Sequence, residues 1–226
     1  MALQLNELEV YKEFYGRSID QMPLLIKEGR TPLSVSGLMK RRIEVADSSN
    51  QKLRDAYWLN YFHTGDALAR DHKGNIKIVL DAQHLRDINK DSVLLNGGLL
   101  STTEEYARLD GPEFKVGNLN KYSLDKPLTE AQVNEHPMWQ ALARDPAVLK
   151  EYAARTFAKA KEIYKLDENM GLYLPSVQEK PIMRSWCVGG LDGRSDADGD
   201  DLDDASGRLV GVAPEALVAK GLEEKI

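Results

Sequence analysis

The chain contains a single cysteine, Cys187, so no disulfide can form within it and a reducing compartment fits. No stretch approaches the roughly 20 apolar residues that a membrane-spanning helix needs. Near the start, MALQLNELEVYKEF carries Glu7, Glu9 and Glu13 where a secretory signal would place basic residues and then an apolar run. These absences predict a cytoplasmic protein with no membrane association. Basic charge is also short: 30 Lys and Arg face 36 Asp and Glu, giving a net charge of −6. The resulting pI of about 5.4 argues against nucleic acid or an anionic membrane as partner. There is no P-loop, no G-x-G-x-x-G and no internal repeat. Ser101-Thr102-Thr103 lacks the G-x-S-x-G setting of a hydrolase nucleophile and reads as a helix cap.

What is present suits a soluble globular protein: 226 residues, 42% hydrophobic and 29% charged, enough to bury a core without staples. Leu5, Leu8, Tyr11 and Tyr15 at helical spacing predict a first helix over Leu3–Tyr15. Thr31-Pro32 reads as a cap and first residue of a second helix, running to about Ala46. Lys52–Phe62 fits helix or strand. The turn Asp71-His72-Lys73-Gly74-Asn75 sits inside Ala67–Leu80 and predicts a hairpin, with Ile76, Ile78 and Leu80 facing the core and Lys77 facing solvent. Asn96-Gly97-Gly98 marks a second hairpin. The second half reads as helical: Thr129 and Asp145-Pro146 are helix starts. After Asp145 an apolar stripe of Leu149, Tyr152, Phe157, Ala160, Ile163 and Tyr164 follows. Leu209–Val212 is β-like, and Pro214–Glu224 reads as a closing helix. The expected class is α+β: a helix-rich single domain with a small antiparallel sheet of hairpins. Residues 1–186 form its main body, 187–208 an acidic loop, and 209–226 a strand and helix packed on that body.

The acidic segment Gly189–Gly207, GGLDGRSDADGDDLDDASG, is the strongest compositional bias in the chain. Its aspartates repel one another unless a cation sits among them, so the segment is either a cation site or a solvated loop. Asp196, Asp198 and Asp200 alternate as oxygen ligands do in a calcium loop, and Asp203 follows. These residues are the candidate ligands for Ca²⁺ or Mg²⁺. An EF-hand is ruled out: counting from Asp196, the sixth residue is Asp201 instead of glycine and the twelfth is Gly207 instead of glutamate. His63, His72 and His84 with a carboxylate form a second candidate metal set, at spacing that matches no compact zinc pattern. His136 before Pro137 reads as a helix-end residue. Cys187 has no sequence-adjacent base and reads as an inert thiol. Lys40-Arg41-Arg42 reads as a solvated basic face.

Tyr61-Phe62-His63-Thr64-Gly65-Asp66, with Asp71-His72-Lys73-Gly74-Asn75-Ile76-Lys77-Ile78-Val79 after it, resembles the Thr-Gly-Asp hairpin of adenylate-forming acyl-CoA synthetases. The resemblance covers about a tenth of the chain. It implies that Asp66 holds ATP ribose hydroxyls. Leu80-Asp81-Ala82 replaces the Gly-Arg that follows in that family, and the phosphate loop and C-terminal Gly-Lys are absent, which excludes a complete ligase. The functional expectation is a non-catalytic binding or interaction protein with a protein or small-molecule partner and a weak calcium-type loop. The alternatives are a small Mg²⁺- or Mn²⁺-dependent enzyme, with Arg194 or Arg208 positioning substrate, and a nucleotide-binding module at the Thr-Gly-Asp hairpin.

Overall fold

A computed structural model describes residues 3–5, 10–119, 121–191 and 195–214. In chain order the elements are β1 (Tyr11–Tyr15), α1 (Ser18–Lys27), β2 (Thr31–Pro32), α2 (Val35–Ala46), α3 (Gln51–Trp58), β3 (Phe62–Arg70), β4 (Ile76–Val79), α4 (Gln83–Arg86), β5 (Leu94–Leu95) and β6 (Gly98–Leu100). Then come α5 (Thr103–Arg108), β7 (Glu113–Phe114), α6 (Val116–Leu119), α7 (Glu130–Glu135), α8 (Pro137–Ala143), α9 (Pro146–Tyr164), β8 (Leu172–Tyr173), β9 (Ile182–Val188), β10 (Ala197–Asp200) and β11 (Arg208–Val212).

The described strands join in one 11-stranded mixed sheet, with central order β1-β11-β3-β9-β10-β8. This overturns the helix-rich reading with a small sheet of hairpins. The two predicted hairpins exist, as β3/β4 and β5/β6. They are limbs of a larger sheet whose centre is β9, paired with β3, β10 and β6. Strand β9 lies between Pro181 and Gly189 and is buried on both faces apart from Arg184. It therefore shows no polar alternation for a sequence reading to catch. β1 replaces the expected first helix. Its five residues pair antiparallel with β11, and that ladder outweighs the local helical spacing of Tyr11 and Tyr15. The acidic segment likewise is not a plain loop, since Ala197–Asp200 forms β10 between β9 and β8.

Two cores sandwich the sheet. On one side α2, α3, α8 and α9 bury Leu38, Met39, Trp58, Trp139, Tyr152 and Phe157 against Phe62, Leu68, Trp186 and Val188. On the other, α1 brings Ile19, Met22 and Leu25 against Ala67, Ala69, Met183 and Leu209. Helix α9 starts as expected: Asp145 accepts from the Ala147 N–H at 2.8 Å and Pro146 opens the first turn. Leu149, Tyr152, Phe157 and Ala160 are buried, but Ile163 is 53% and Tyr164 40% exposed, because the last turn runs past the core. Helix α2 is capped by Ser34 instead of Thr31, and Thr31-Pro32 is the short strand β2. The segment read as a closing helix lies outside the described residues from residue 215 onward.

Several buried cations correct the solvated readings. Lys77 is buried, and its ammonium donates to the carbonyls of Tyr106, Ala107 and Leu109, where α5 ends. Arg42 is 1% exposed and donates to the carbonyls of Tyr57, Asn60 and Val188 and to the Tyr152 hydroxyl. Its guanidinium thereby ties α2 to α3, α9 and β9. Arg41 is buried too, stacked on Tyr11 and Tyr57.

Candidate functional site

The Thr-Gly-Asp run is an irregularity in β3, where the register against β9 shifts between His63 and Ala67. Each residue of the bulge has a structural task. The Thr64 hydroxyl donates to the Trp186 carbonyl at 2.9 Å, and its N–H donates to Ser185 Oγ. Gly65 lies on Pro32, where a Cβ would come within 2.9 Å of the proline ring. Asp66 is fully buried and accepts from the N–H groups of Val35 and Asp81 at 2.8 Å and from Arg144 at 2.7 Å. Burial pushes its pKa up, and Arg144 and the two N–H groups oppose that rise. Its oxygens are committed to protein donors in the fold interior, away from any ribose.

Beside this bulge, three neighbouring strands bring polar side chains to one face of the sheet. The register sets His63 opposite Cys187 and Cys187 opposite Asp198, with Ser185 opposite Asp200. His63 is 1% exposed. Its Nε2 lies 2.8 Å from Asp200 Oδ2, and its Nδ1 lies 2.9 Å from the Ser18 hydroxyl at the start of α1. Cys187 is 5% exposed. Among the described residues, His63, Cys187 and Asp200 form the one group of three or more potential metal ligands with donor atoms all within 4.8 Å of one another.

The two strand aspartates are shifted in opposite directions. Burial, with Asp200 adding repulsion, pushes the Asp198 pKa up to about 7. Asp198 Oδ1 is buried with no hydrogen-bond partner. Burial also acts to raise Asp200, but the hydrogen bond and charge of His63 and the Asp201 N–H outweigh it and hold Asp200 below its ordinary value. Arg184 borders the site; it pairs with Asp201 and donates to the Gly199 carbonyl at 3.2 Å. Tyr61, whose ring lies 6.3 Å from that of His63, donates to the Ser206 carbonyl.

Of the predicted aspartate ligands, the structure brings together Asp198 and Asp200. Asp196 turns toward Gly171, accepting its N–H at 2.8 Å. Asp203 is exposed on the turn after β10. Period-two spacing thus places two aspartates on one strand face. His72 is exposed in the β3/β4 turn and His84 is exposed on α4, and among the described residues neither joins His63 in a group of potential ligands. Arg208 pairs with Glu13 and covers Tyr15, and Arg194 lies outside the described residues. His136 caps α8, its Nδ1 accepting from the Met138 N–H. Sequence reasoning missed the His63–Cys187–Asp200 grouping. The signal was the seven-residue run between Pro181 and Gly189, which reads as a buried strand once its proline and glycine boundaries are noticed.

No family model matches the chain, and no curated protein matches it. A solved structure does, from work on the accommodation of massive sequence variation in Nanoarchaeota by the C-type lectin fold. Its TM-score is 0.68 at 19% sequence identity, over 92% of this chain and 100% of the other. The protein therefore has the C-type lectin fold, which replaces the resemblance to acyl-CoA synthetases and removes the basis for a ribose-binding Asp66. Among the described residues, no helix is long and apolar enough to cross a membrane.

Proposed function

We propose that the chain is a non-catalytic binding protein whose recognition site is the acidic sheet face at β10, and that this face engages a divalent cation. The observation that carries the reading is the Asp198 oxygen buried without a partner, on the same strand face as Asp200. A buried carboxylate oxygen with no donor is costly, and a cation is the simplest group that completes it. The fold supports a binding role: the Nanoarchaeota neighbour is described as a C-type lectin fold that accommodates massive sequence variation, a property suited to recognition. A nucleophilic enzyme is disfavoured by burial. Ser18 and Cys187, the nucleophiles beside His63, are 1% and 5% exposed, and burial pushes the Cys187 thiol well up, away from the reactive thiolate. The partner is a small molecule or protein that meets this face through the cation or by positive charge of its own.

Melting curves of the wild type and of Asp198→Asn/Asp200→Asn, in millimolar Ca²⁺ or Mg²⁺ and in NaCl of matched ionic strength, test the reading. A cation at about tenfold excess over its dissociation constant stabilises the wild type by about 1.4 kcal/mol and leaves the variant unchanged. NaCl controls for screening. Equal responses of both proteins to all salts reduce the segment to a solvated acidic surface.

A further inference from the structure

We infer that the cation at this face belongs to the borderline-soft transition metals, with Zn²⁺ as the type, and that His63 Nε2, Cys187 Sγ and a carboxylate oxygen of Asp200 ligate it. This rests on the cation-binding reading above and names the class of ion.

Donor chemistry makes the first argument. Ca²⁺ and Mg²⁺ take oxygen ligands, whereas a thiol and an imidazole beside one carboxylate match zinc and its neighbours. The three donors come from adjacent strands β3, β9 and β10, so the sheet fixes their positions before any ion arrives. Zinc bond lengths of about 2.0–2.3 Å put neighbouring donor atoms about 3.5 Å apart in a tetrahedron. The donors here already lie within 4.8 Å of each other, a gap that side-chain rotation closes. His63 Nε2 and Asp200 Oδ2 are in hydrogen-bond contact at 2.8 Å, and the ion takes the place of the proton between them.

The surroundings make the second argument. Ser18 Oγ sits 2.9 Å from His63 Nδ1, the place of the outer partner that orients a metal-bound histidine. In the metal-bound form Nδ1–H donates to Ser18 and Nε2 presents its lone pair to the ion. The Cys187 sulfur is buried and makes no hydrogen bond among the described residues, so it has no other polar task. The thiol releases one proton on binding, and thiolate plus Asp200 carboxylate balance the two positive charges. Asp200 is 30% exposed at its side chain and opens the route from solvent. The fourth position is left to water, to Asp198 across the strand from Cys187, or to a donor atom of the bound partner.

The test uses the full chain, stripped with chelator under reducing conditions and titrated with Co²⁺ as a spectroscopic stand-in and with Zn²⁺ against a chromophoric chelator. One equivalent of Co²⁺ produces a near-ultraviolet thiolate charge-transfer band and the strong visible bands of a tetrahedral site, and Zn²⁺ displaces it. Cys187→Ser abolishes the charge-transfer band. Ser18→Ala, which removes only the outer partner, weakens Zn²⁺ binding about 10- to 100-fold. A wild type that gives no thiolate band, or a band that survives Cys187→Ser, overturns the inference. If Ca²⁺ or Mg²⁺ still raises the melting temperature in that case, the cation-binding reading stands and only the class of ion is wrong. If no cation of either kind binds, both fall.

Discussion

Two aspartates near the same bulge of β3, Asp66 buried and Asp198 half-buried, have opposite environments. Asp66 is surrounded by donors from three directions: the first N–H of α2, the N–H of Asp81 and the guanidinium of Arg144. Arg144 also pairs with Asp81, closing a network that joins α8, β3 and the turn after β4. Asp198 sits one strand beyond β9, with one oxygen buried and unmatched and a second carboxylate, Asp200, two residues on. Each has an oxygen removed from water, but only the first is complete. A carboxylate whose oxygens are all committed to protein donors holds the fold together, whereas one left unmatched marks where something from outside belongs. The sequence offers the same letter in both places, and the motif resemblance singles out the one whose oxygens are already committed.

The largest test of this contrast is Asp66→Asn. It keeps the shape but turns an amide toward Arg144 and two N–H donors, leaving the guanidinium without its buried partner. Breaking a buried pair in this way costs about 3–5 kcal/mol, read as a fall in the urea midpoint at unchanged slope. A variant as stable as the wild type would remove Asp66 from the structural role and collapse the distinction.

Asp198→Asn predicts the opposite sign. With a folded pKa of about 7, above the ordinary 3.8, Asp198 binds a proton on folding. Below about pH 4 it is protonated in both states and costs nothing. As pH rises from about 4 to 7 the unfolded chain ionises first, so the cost grows, and it is complete above pH 7. In metal-free buffer, Asp198→Asn therefore stabilises by on the order of 2 kcal/mol at pH 8, after allowance for partial exposure, and leaves stability unchanged well below pH 3.8. A pH-independent effect of the substitution would show that Asp198 is already matched.

Asp145 stands between these extremes, a carboxylate with one N–H to satisfy, that of Ala147. Asp145→Ala costs about 1 kcal/mol, the ordinary value of a lost helix cap, in thermal melts. A loss on the scale expected for Asp66 would mean that the number of committed donors does not rank these aspartates.

Asp145 was legible from sequence because a cap, its proline and its helix are contiguous. The β3/β4 hairpin was legible for the same reason, since its turn chemistry lies within a dozen residues, and β11 reads as a short β-like run. The burial of Lys77 was not, because its acceptors are the carbonyls ending α5, some 30 residues on. Strand β9 carries no polar alternation, and the site depends on it. The contact between His63 and Asp200 spans 137 positions, and no spacing rule reaches that far. The aspartate alternation was visible, and in the structure it is the repeat of a strand. Period two is the repeat of a strand as well as of an oxygen-ligand loop, and the strand puts Asp198 and Asp200 beside a histidine and a cysteine that local composition cannot pair with them.

The smallest expected effect bears on composition itself. Asp203 belongs to the same acidic run and to the same predicted ligand set, yet it is exposed on the turn after β10. Asp203→Asn changes the local charge by as much as Asp198→Asn does. If charge density alone makes this segment special, the two substitutions should stabilise alike and should blunt cation binding alike. Placement predicts otherwise: Asp203→Asn shifts stability by less than about 0.5 kcal/mol at any pH, the usual range for an exposed position. The cation-dependent rise in melting temperature also stays intact, because the side chain lies outside the row of His63, Cys187 and Asp200. A response to Asp203→Asn equal to that of Asp198→Asn, in both pH profile and cation dependence, would return the segment to a diffuse acidic surface and remove the special standing of the β10 face.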